Sequence, residues 1–327
     1  LEVDYRKLDP RLFGLGMHRG ALFSILYDAV RAEPVEIVSA TAVTDSTLDA
    51  RGRYLEAAAG RRLGPFDLVV DATGAGSPLR RLANGKATSR PFRFGAVWAP
   101  VALPDGWPAP HRLVQRYQSA RIMIGVLPIG RLQDSSARLA ALFWSLPVAS
   151  YPAWRSAGLP RWRDEVGRLW PEIGPLVDQL ASLDDLSFAQ YTDLITRTPF
   201  AERLAIIGDA AHSTSPQLGQ GANLALMDAE ALARGLAESG ADLAAALLRY
   251  SELRRHHVRF YQRASRWLTP FFQSESRVAG ALRDRAFGPA GRLGYVQRQM
   301  IATLAGFKTG ILSIPALPGD LELPPAP

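Results

Sequence analysis

Residues 204–232 read LAIIGDAAHSTSPQLGQGANLALMDAEAL. The apolar run 204–207 has the pattern of a short buried strand, and it ends in Gly208-Asp209. A loop rich in Pro and Gly follows, and a helix opens at Gly219-Gln220-Gly221-Ala222-Asn223. Asp209, at the end of a strand, is placed to accept hydrogen bonds from a polyol. Gly219 and Gly221 let backbone N–H groups approach a flat ligand with no Cβ in the way. The helix that begins there turns its free N–H groups and positive dipole end toward whatever the loop holds.

Two upstream segments lie in an order that fits this unit. Residues 16–30 read GMHRGALFSILYDAV, and Leu22, Ile25, Leu26, Ala29 and Val30 fall on one face of a helix with His18-Arg19 at its start. Residues 66–80 read FDLVVDATGAGSPLR. There, 67–70 is a buried-strand run, and Gly74 and Gly76 mark the turn after it.

Together these segments resemble the p-hydroxybenzoate-hydroxylase-like family, the single-component FAD-dependent aromatic monooxygenases. The resemblance implies that Gly208-Asp209 meets the ribityl chain of FAD. It also implies that Gly219, Gln220, Gly221, Ala222 and Asn223 meet the pyrimidine edge of the flavin, and that Pro216 lines its reactive face. Arg19 matches a family arginine near the phosphate and ribityl region, and Val43 a position whose backbone meets the adenine side. Gly74, Ser77 and Arg80 match the family's second fingerprint. Thr73 stands where the family has aspartate, and Asp71 lies two positions earlier. The Asp71-Ala72-Thr73-Gly74 string is closer to related flavin reductases and halogenases.

The family opens with a strand, a Gly-x-Gly-x-x-Gly turn and a helix that hold the FAD pyrophosphate. The nearest string here is Gly14-Leu15-Gly16 with Gly20 further on, which lacks that spacing. Residues 1–5 read as an interior strand of the first domain. The expectation is that a βαβ unit of roughly 30 residues lies outside this sequence; a true deletion or a second polypeptide are the alternatives.

The chain has 327 residues, 47% of them hydrophobic, enough for a sizeable core in one large or two ordinary domains. No apolar stretch reaches the roughly 18 residues that span a bilayer. The first twenty residues carry acids and bases throughout, unlike a signal peptide. Without cysteine there are no disulfides, thiolate metal sites or cysteine nucleophiles. His18, His111, His212, His256 and His257 show no metal-ligand spacing, so no metal is expected. The net charge of +7 is almost all arginine, since lysine occurs only at Lys7, Lys86 and Lys308. No nucleic-acid-binding motif accompanies it, and no nucleic-acid partner is expected. Attraction of anionic aromatic acids, NADPH or an acidic membrane surface fits the charge better.

The expected fold class is α/β (α+β): an incomplete Rossmann-like FAD-binding domain with an inserted β-sheet substrate domain and a helical C-terminal region. Residues 1–90 are read as the partial FAD-binding domain, with strands at 35–43, 54–58 and 67–70 and turns at Gly60 and Gly64. Residues 91–195 form the β-rich substrate domain, with strands at 94–101, 112–117, 121–127, 138–144 and 186–195. A helical stretch at 153–180 is interrupted by Pro160, Pro171 and Pro175. Residues 196–240 return to the FAD-binding domain, and 241–316 supply C-terminal helices at 243–263 and 265–287, the latter broken near Pro270. Arg254, Arg255, Arg259, Arg263 and Arg266 read there as a solvated basic face over an aromatic core; contact with a membrane surface is the alternative. Residues 317–327 form a Pro-rich, loose tail.

The function implied by the resemblance is NAD(P)H-dependent hydroxylation of an aromatic or polyketide-like small molecule through a flavin C4a-hydroperoxide, with FAD as cofactor, NADPH or NADH as transient electron donor and molecular oxygen as co-substrate. The cofactor carries the difficult chemistry, so no catalytic triad is expected and no motif identifies a catalytic base. His212 is read as structural. Phe94, Trp98, Gln115, Tyr117, Phe143 and Tyr191 are the substrate-side candidates from strand alternation. A flavin reductase of the prenyl-reductase type, a halogenase, and a non-catalytic chain that does not retain FAD are the alternatives. The halogenase Trp-x-Trp-x-Ile-Pro motif is not found. The expected location is the cytoplasm; oligomeric state and substrate stay open.

Overall fold

A computed structural model describes residues 2–133 and 135–313. Leu1 and the tail expected at 317–327 lie outside the described residues. In chain order the elements are helix α1 (Arg19–Arg31) and strands β1 (Val43–Asp49), β2 (Gly52–Ala57), β3 (Arg61–Phe66), β4 (Val69–Asp71), β5 (Ala87–Ala102), β6 (Val114–Gln118), β7 (Ile122–Gly130) and β8 (Leu139–Pro147). Helices α2 (Tyr151–Leu169) and α3 (Gly174–Val177) follow, then strands β9 (Ser187–Thr196), β10 (Phe200–Ala201), β11 (Leu204–Ile206) and β12 (His212–Ser213). Helices α4 (Gly221–Ser239), α5 (Leu243–Phe272), α6 (Arg277–Ala290) and α7 (Gly294–Leu304) complete the described chain. The class is mixed α/β, as the motif order predicts. No helix among the described residues is long and apolar enough to cross a membrane.

The largest element is a six-stranded sheet in the order β12-β9-β5-β8-β7-β6, antiparallel throughout. Strand alternation sends Val97, Ala99, Ile124, Val126, Leu142 and Trp144 to one face, where Leu159, Trp162 and Val166 of α2 cover them. The other face carries Gln115, Gly125, Phe143 and Trp98 in one cross-strand row. Gly125 packs under the Phe143 ring: a Cβ would lie 2.1 Å from its Cζ, so the ring would have to move. The second sheet, β10-β11-β4, is small but decisive, because β11 runs parallel to β4 in the register Leu204↔Val69 to Ile206↔Asp71. Two parallel strands that stop together send their following loops out on the same side. Those loops are 72–79 and 207–211.

Several expectations are corrected. Residues 2–4 form no strand, and Tyr5–Lys7 is a short 3-10 helix whose start is capped by Asp4. Residues 35–42 are not a strand either. Only Val43 onward pairs, and Val35, Ile37 and Val38 stand exposed with no neighbouring strand to satisfy them. Helix α1 forms, but none of its residues is fully buried, and Ile25, Leu26 and Val30 of its apolar face stand exposed. Gly64 lies within β3, not in a turn. Helix α5 runs unbroken for 30 residues through 264, with Pro270 in its last turn. A proline there still leaves most of the helix ladder intact. Helix α2 tolerates Pro160 by bending at Gly158, which has φ +81°.

Candidate functional site

Strand β11 is fully buried, and its apolar packing with Val69, Leu79, Ala210 and Ala211 fixes where the next loop begins. Gly208 then takes φ +59°, and its N–H donates to Oδ2 of Asp228 on α4 at 2.8 Å. The turn exposes Asp209, whose carboxylate makes no hydrogen bond to another described residue. His212 turns back inside as part of β12, and its Nε2–H donates to the same Asp228 oxygen at 2.7 Å. That bond supports the structural role expected for His212. Ser215 is held by Ser265 and Thr269 of α5 at 2.7 and 2.9 Å.

The next segment is presented to solvent. Pro216 and Gly219 are exposed, Gly219 in the left-handed region at φ +63°. Gly221, Ala222 and Asn223 form the exposed first turn of α4, and a Cβ on Gly219 or Gly221 would meet nothing within 4 Å. The unpaired N–H groups of this turn are a ready donor set for an anionic or polar ring edge. Gln220 behaves differently. It is buried, and its Nε2 donates to the Leu304 carbonyl at 2.7 Å.

The loop after β4 is cross-braced to this unit. Asp71 is buried; its Oδ1 accepts from Thr73 N–H at 3.0 Å and Thr73 Oγ1 at 2.6 Å, and its Oδ2 accepts from Ser77. Arg80 donates from Nε to the Ala210 carbonyl at 2.6 Å and from Nη2 to the carbonyls of Ala75 and Gly74. So the departure at Thr73 leaves the turn intact: Asp71 organises it from the strand end, and Arg80 ties it to the Gly208 loop.

Helix α5 is the beam behind all of this. Its buried positions 246, 247, 250, 254, 257, 258, 261, 262 and 265 repeat at three- and four-residue spacing. Tyr250 donates to the Ile206 carbonyl at 2.9 Å and Gln262 to the Leu194 carbonyl at 2.7 Å. Arg254 is not part of a solvated basic face. It is buried and donates from Nε to Oδ1 of Asp228 at 2.7 Å. Burial pushes the Asp228 carboxyl up, but the His212 hydrogen bond and charge and the Arg254 guanidinium outweigh it, and the net shift is downward. His257 is also buried, and desolvation lowers it to about 4, so it is a neutral ring. Asp228 escaped the sequence reading, and Arg254 was placed on the wrong face. The available signal was their spacing, since both fall on the apolar stripes of their helices.

A model of the FAD binding domain family matches residues 20–265. This chain belongs to that family. Family membership agrees with the strand, loop and helix order built above. The chain is similar to an FAD-dependent urate hydroxylase of Klebsiella pneumoniae, with 27% identity over 197 residues, 59% of this chain and 49% of the relative. It is also similar to the 3-amino-4-hydroxybenzoate 2-monooxygenase PtnB3 of Streptomyces platensis, with 43% identity over 91 residues, 28% of this chain and 23% of the relative. Among solved structures, Klebsiella pneumoniae HpxO complexed with FAD and uric acid has the same fold, with TM-score 0.69, 21% identity, and coverage of 88% of this chain and 72% of that one. The chain spans less than two thirds of the length of the curated relatives it matches.

Within this family member, the candidate residues fall into three groups. Gly208, Asp209, Pro216, Gly219, Gln220, Gly221, Ala222 and Asn223 form one continuous unit. Val43, half-buried at the start of β1, joins it indirectly by packing on the cluster that holds Ala210 and Ala211. Arg19 stands apart. It is exposed at the start of α1, which is held near β7 by His18 N–H donating to the Ile129 carbonyl at 2.9 Å, and it makes no hydrogen bond or ion pair with the other candidates.

Proposed function

We propose that this chain holds the flavin end of FAD, and that the protein is an NAD(P)H-dependent monooxygenase hydroxylating an aromatic or polyketide-like small molecule. The observation that carries this reading is the contrast within one loop. Gly208, His212 and Gln220 are buried and bonded, whereas Asp209, Pro216, Gly219 and Gly221–Asn223 are exposed beside them. Such a loop is rigid behind and open in front, which is what a site for a flat cofactor requires.

The residues present fit a flavin. The open space over Gly219 and Gly221 admits a ring edge against the backbone, and Asp209 is free to accept from ribityl hydroxyls. We assign Pro216 to the reactive face, Arg19 to the phosphate and ribityl region, and Val43 to the adenine side. When bound, FAD would supply the redox and oxygen chemistry, with NADPH or NADH as electron donor. The N–H groups at the start of α4 would stabilise negative charge on the pyrimidine edge. The sheet face opposite α2 would orient the substrate. There, Tyr117 donates to Oε1 of Gln115 at 3.0 Å, and burial raises its hydroxyl to about 12, so it remains a neutral donor. Trp98 and Phe143 lie in the cross-strand row of Gln115, its hydrogen-bond partner. We keep the division into a partial FAD-binding domain (1–90 and 196–240), a substrate domain (91–195) and C-terminal helices (241–316) as part of this proposal, with the cytoplasm as its setting.

A second reading, reduction of an unsaturated substrate, is favoured by one feature, the Asp71-Ala72-Thr73-Gly74 turn. Two measurements separate the outcomes. An absorbance spectrum taken after incubation with FAD and removal of the unbound cofactor, on this chain and on a version extended upstream, should show flavin bands. Bands in neither would overturn the flavoenzyme reading and leave a non-catalytic chain. Incorporation of labelled oxygen into product supports hydroxylation; a reduced product without the label supports the reductase.

A further inference from the structure

Buried bonds connect the candidate flavin loop to the last residues of α7 and the turn that follows them by two separate routes. The first starts at Gly208 N–H and His212, passes through Asp228 to Arg254, and goes from Arg254 Nη1 to Nδ1 of His257 at 3.0 Å. Because Nδ1 accepts there, Nε2 carries the proton, and it donates to the Gly306 carbonyl at 2.6 Å. The second route is direct: Gln220, in the turn assigned to the flavin pyrimidine edge, donates to the Leu304 carbonyl at 2.7 Å. Tyr261 holds the same segment by donating to the Thr303 carbonyl at 2.8 Å. Gly306 allows the close approach. It has φ +90°, and a Cβ there would lie 2.8 Å from Oε1 of Gln220.

We propose that residues 303–308 are a hook whose docking is thermodynamically linked to flavin binding, with Arg254 and His257 as the positioning residues of the link. The inference rests on the flavin reading above. Asp228, Arg254, His257 and Gln220 are all buried, so none of these groups can exchange its partner for water without opening the site. A ligand that orders Gly208 and the Gln220 turn therefore orders the hook, and a docked hook tightens the ligand by the same factor. No reacting atom is touched; the hook acts through Gly208 and Gln220.

The test measures amide hydrogen exchange at residues 303–308 and the FAD dissociation constant, for this chain and three variants. FAD should slow exchange at Phe307 and Lys308, whose N–H groups bond Ala302 O and Tyr261 Oη. His257→Leu should abolish that FAD-dependent protection and weaken FAD by about tenfold, within the usual range of coupling. His257→Gln, which retains an acceptor and a donor, should restore most of both. Gly306→Ala perturbs the hook from its own side and gives the same result if His257→Leu does not fold. FAD binding that leaves 303–308 unprotected, or unchanged affinity in folded His257→Leu or Gly306→Ala, overturns the link alone. No FAD binding by the unsubstituted chain or its extended version overturns the flavin reading, and the link with it.

Discussion

Asp228 of α4 and Arg254 of α5 meet at 2.7 Å with side-chain exposures of 0% and 5%, a buried ion pair directly beneath the loop that starts at Gly208. Around it the charges are balanced and bonded: Oδ2 takes Gly208 N–H and His212, and Arg254 Nη2 donates to the Leu224 carbonyl at 3.2 Å. Such a pair is worth less as a source of net stability than as a constraint on geometry.

Removing one partner should therefore be costly. Asp228→Ala leaves Arg254 buried without a counter-charge and should destabilise the fold by about 3–5 kcal/mol. The double variant Asp228→Leu/Arg254→Met should lose less than the sum of its single changes. Urea unfolding measures both. A single-variant loss below about 1 kcal/mol would show that the pair does not brace the loop.

Stability should fall on acidification because of His257. Its ring is held at about 4 by burial, against 6.5 in the unfolded chain, with Arg254 lowering it further and Asp228 and the Gly306 carbonyl raising it. His212 also lowers it, and the Tyr261 ring packs on it at 4.8 Å. The unfolded state binds the extra proton first. The contribution is intact above about pH 6.5 and is lost as pH falls toward 4. The gap between those values corresponds to about 3 kcal/mol. Asp228, lowered in the fold, adds to the loss only at more acid pH. Melting temperature against pH should show this slope, and His257→Gln should flatten it.

The two glycines Gly235 and Gly167 should respond in opposite directions to alanine. In α4, a Cβ on Gly235 would lie 2.7 Å from the Ala246 carbonyl, so α4 and α5 must separate, at about 1–3 kcal/mol. In α2, a Cβ on exposed Gly167 meets nothing within 4 Å and should stabilise the helix by about 0.5–1 kcal/mol. Thermal unfolding of the two variants checks the sign.

Asp209 and Asp71 should separate binding from folding. Asp209 is exposed and has no partner among the described residues, so Asp209→Ala should leave stability within about 0.5 kcal/mol while weakening FAD roughly tenfold, the value of one hydrogen bond to a charged group. Asp71 is buried and accepts from Thr73 and Ser77, so Asp71→Ala should cost about 1–3 kcal/mol in stability. Flavin titration and denaturant unfolding on the same two variants distinguish these results; equal effects on both would contradict the assignment.

How much was legible depended on how local the physics is. The start of helix α4 was readable, because the glycines at 219 and 221 precede a continuous apolar spacing. Five strands of the large sheet were readable because alternation and Pro/Gly turns are local signals, whereas the two-residue β12 and the first residues of β5 were not. Residues 35–42 misled, because Val35, Ile37 and Val38 have strand propensity but no strand beside them. Arg254 misled for the converse reason: in a row of arginines on one helix, composition cannot say which one faces Asp228.

The sequence by itself determined the 204–232 unit, its helix start and its family, because each rests on residue types at short fixed spacing. Only the tertiary structure decided that β11 lies parallel to β4, that Asp71 and Arg80 brace the Gly208 loop, and that Asp228, Arg254, His257 and Gly306 form one buried chain. Those pairings join residues up to 136 positions apart, as when Arg203 reaches the Asp67 carbonyl across the same strand pair. Their partners are chosen by the packing of the folded core, which no local pattern encodes.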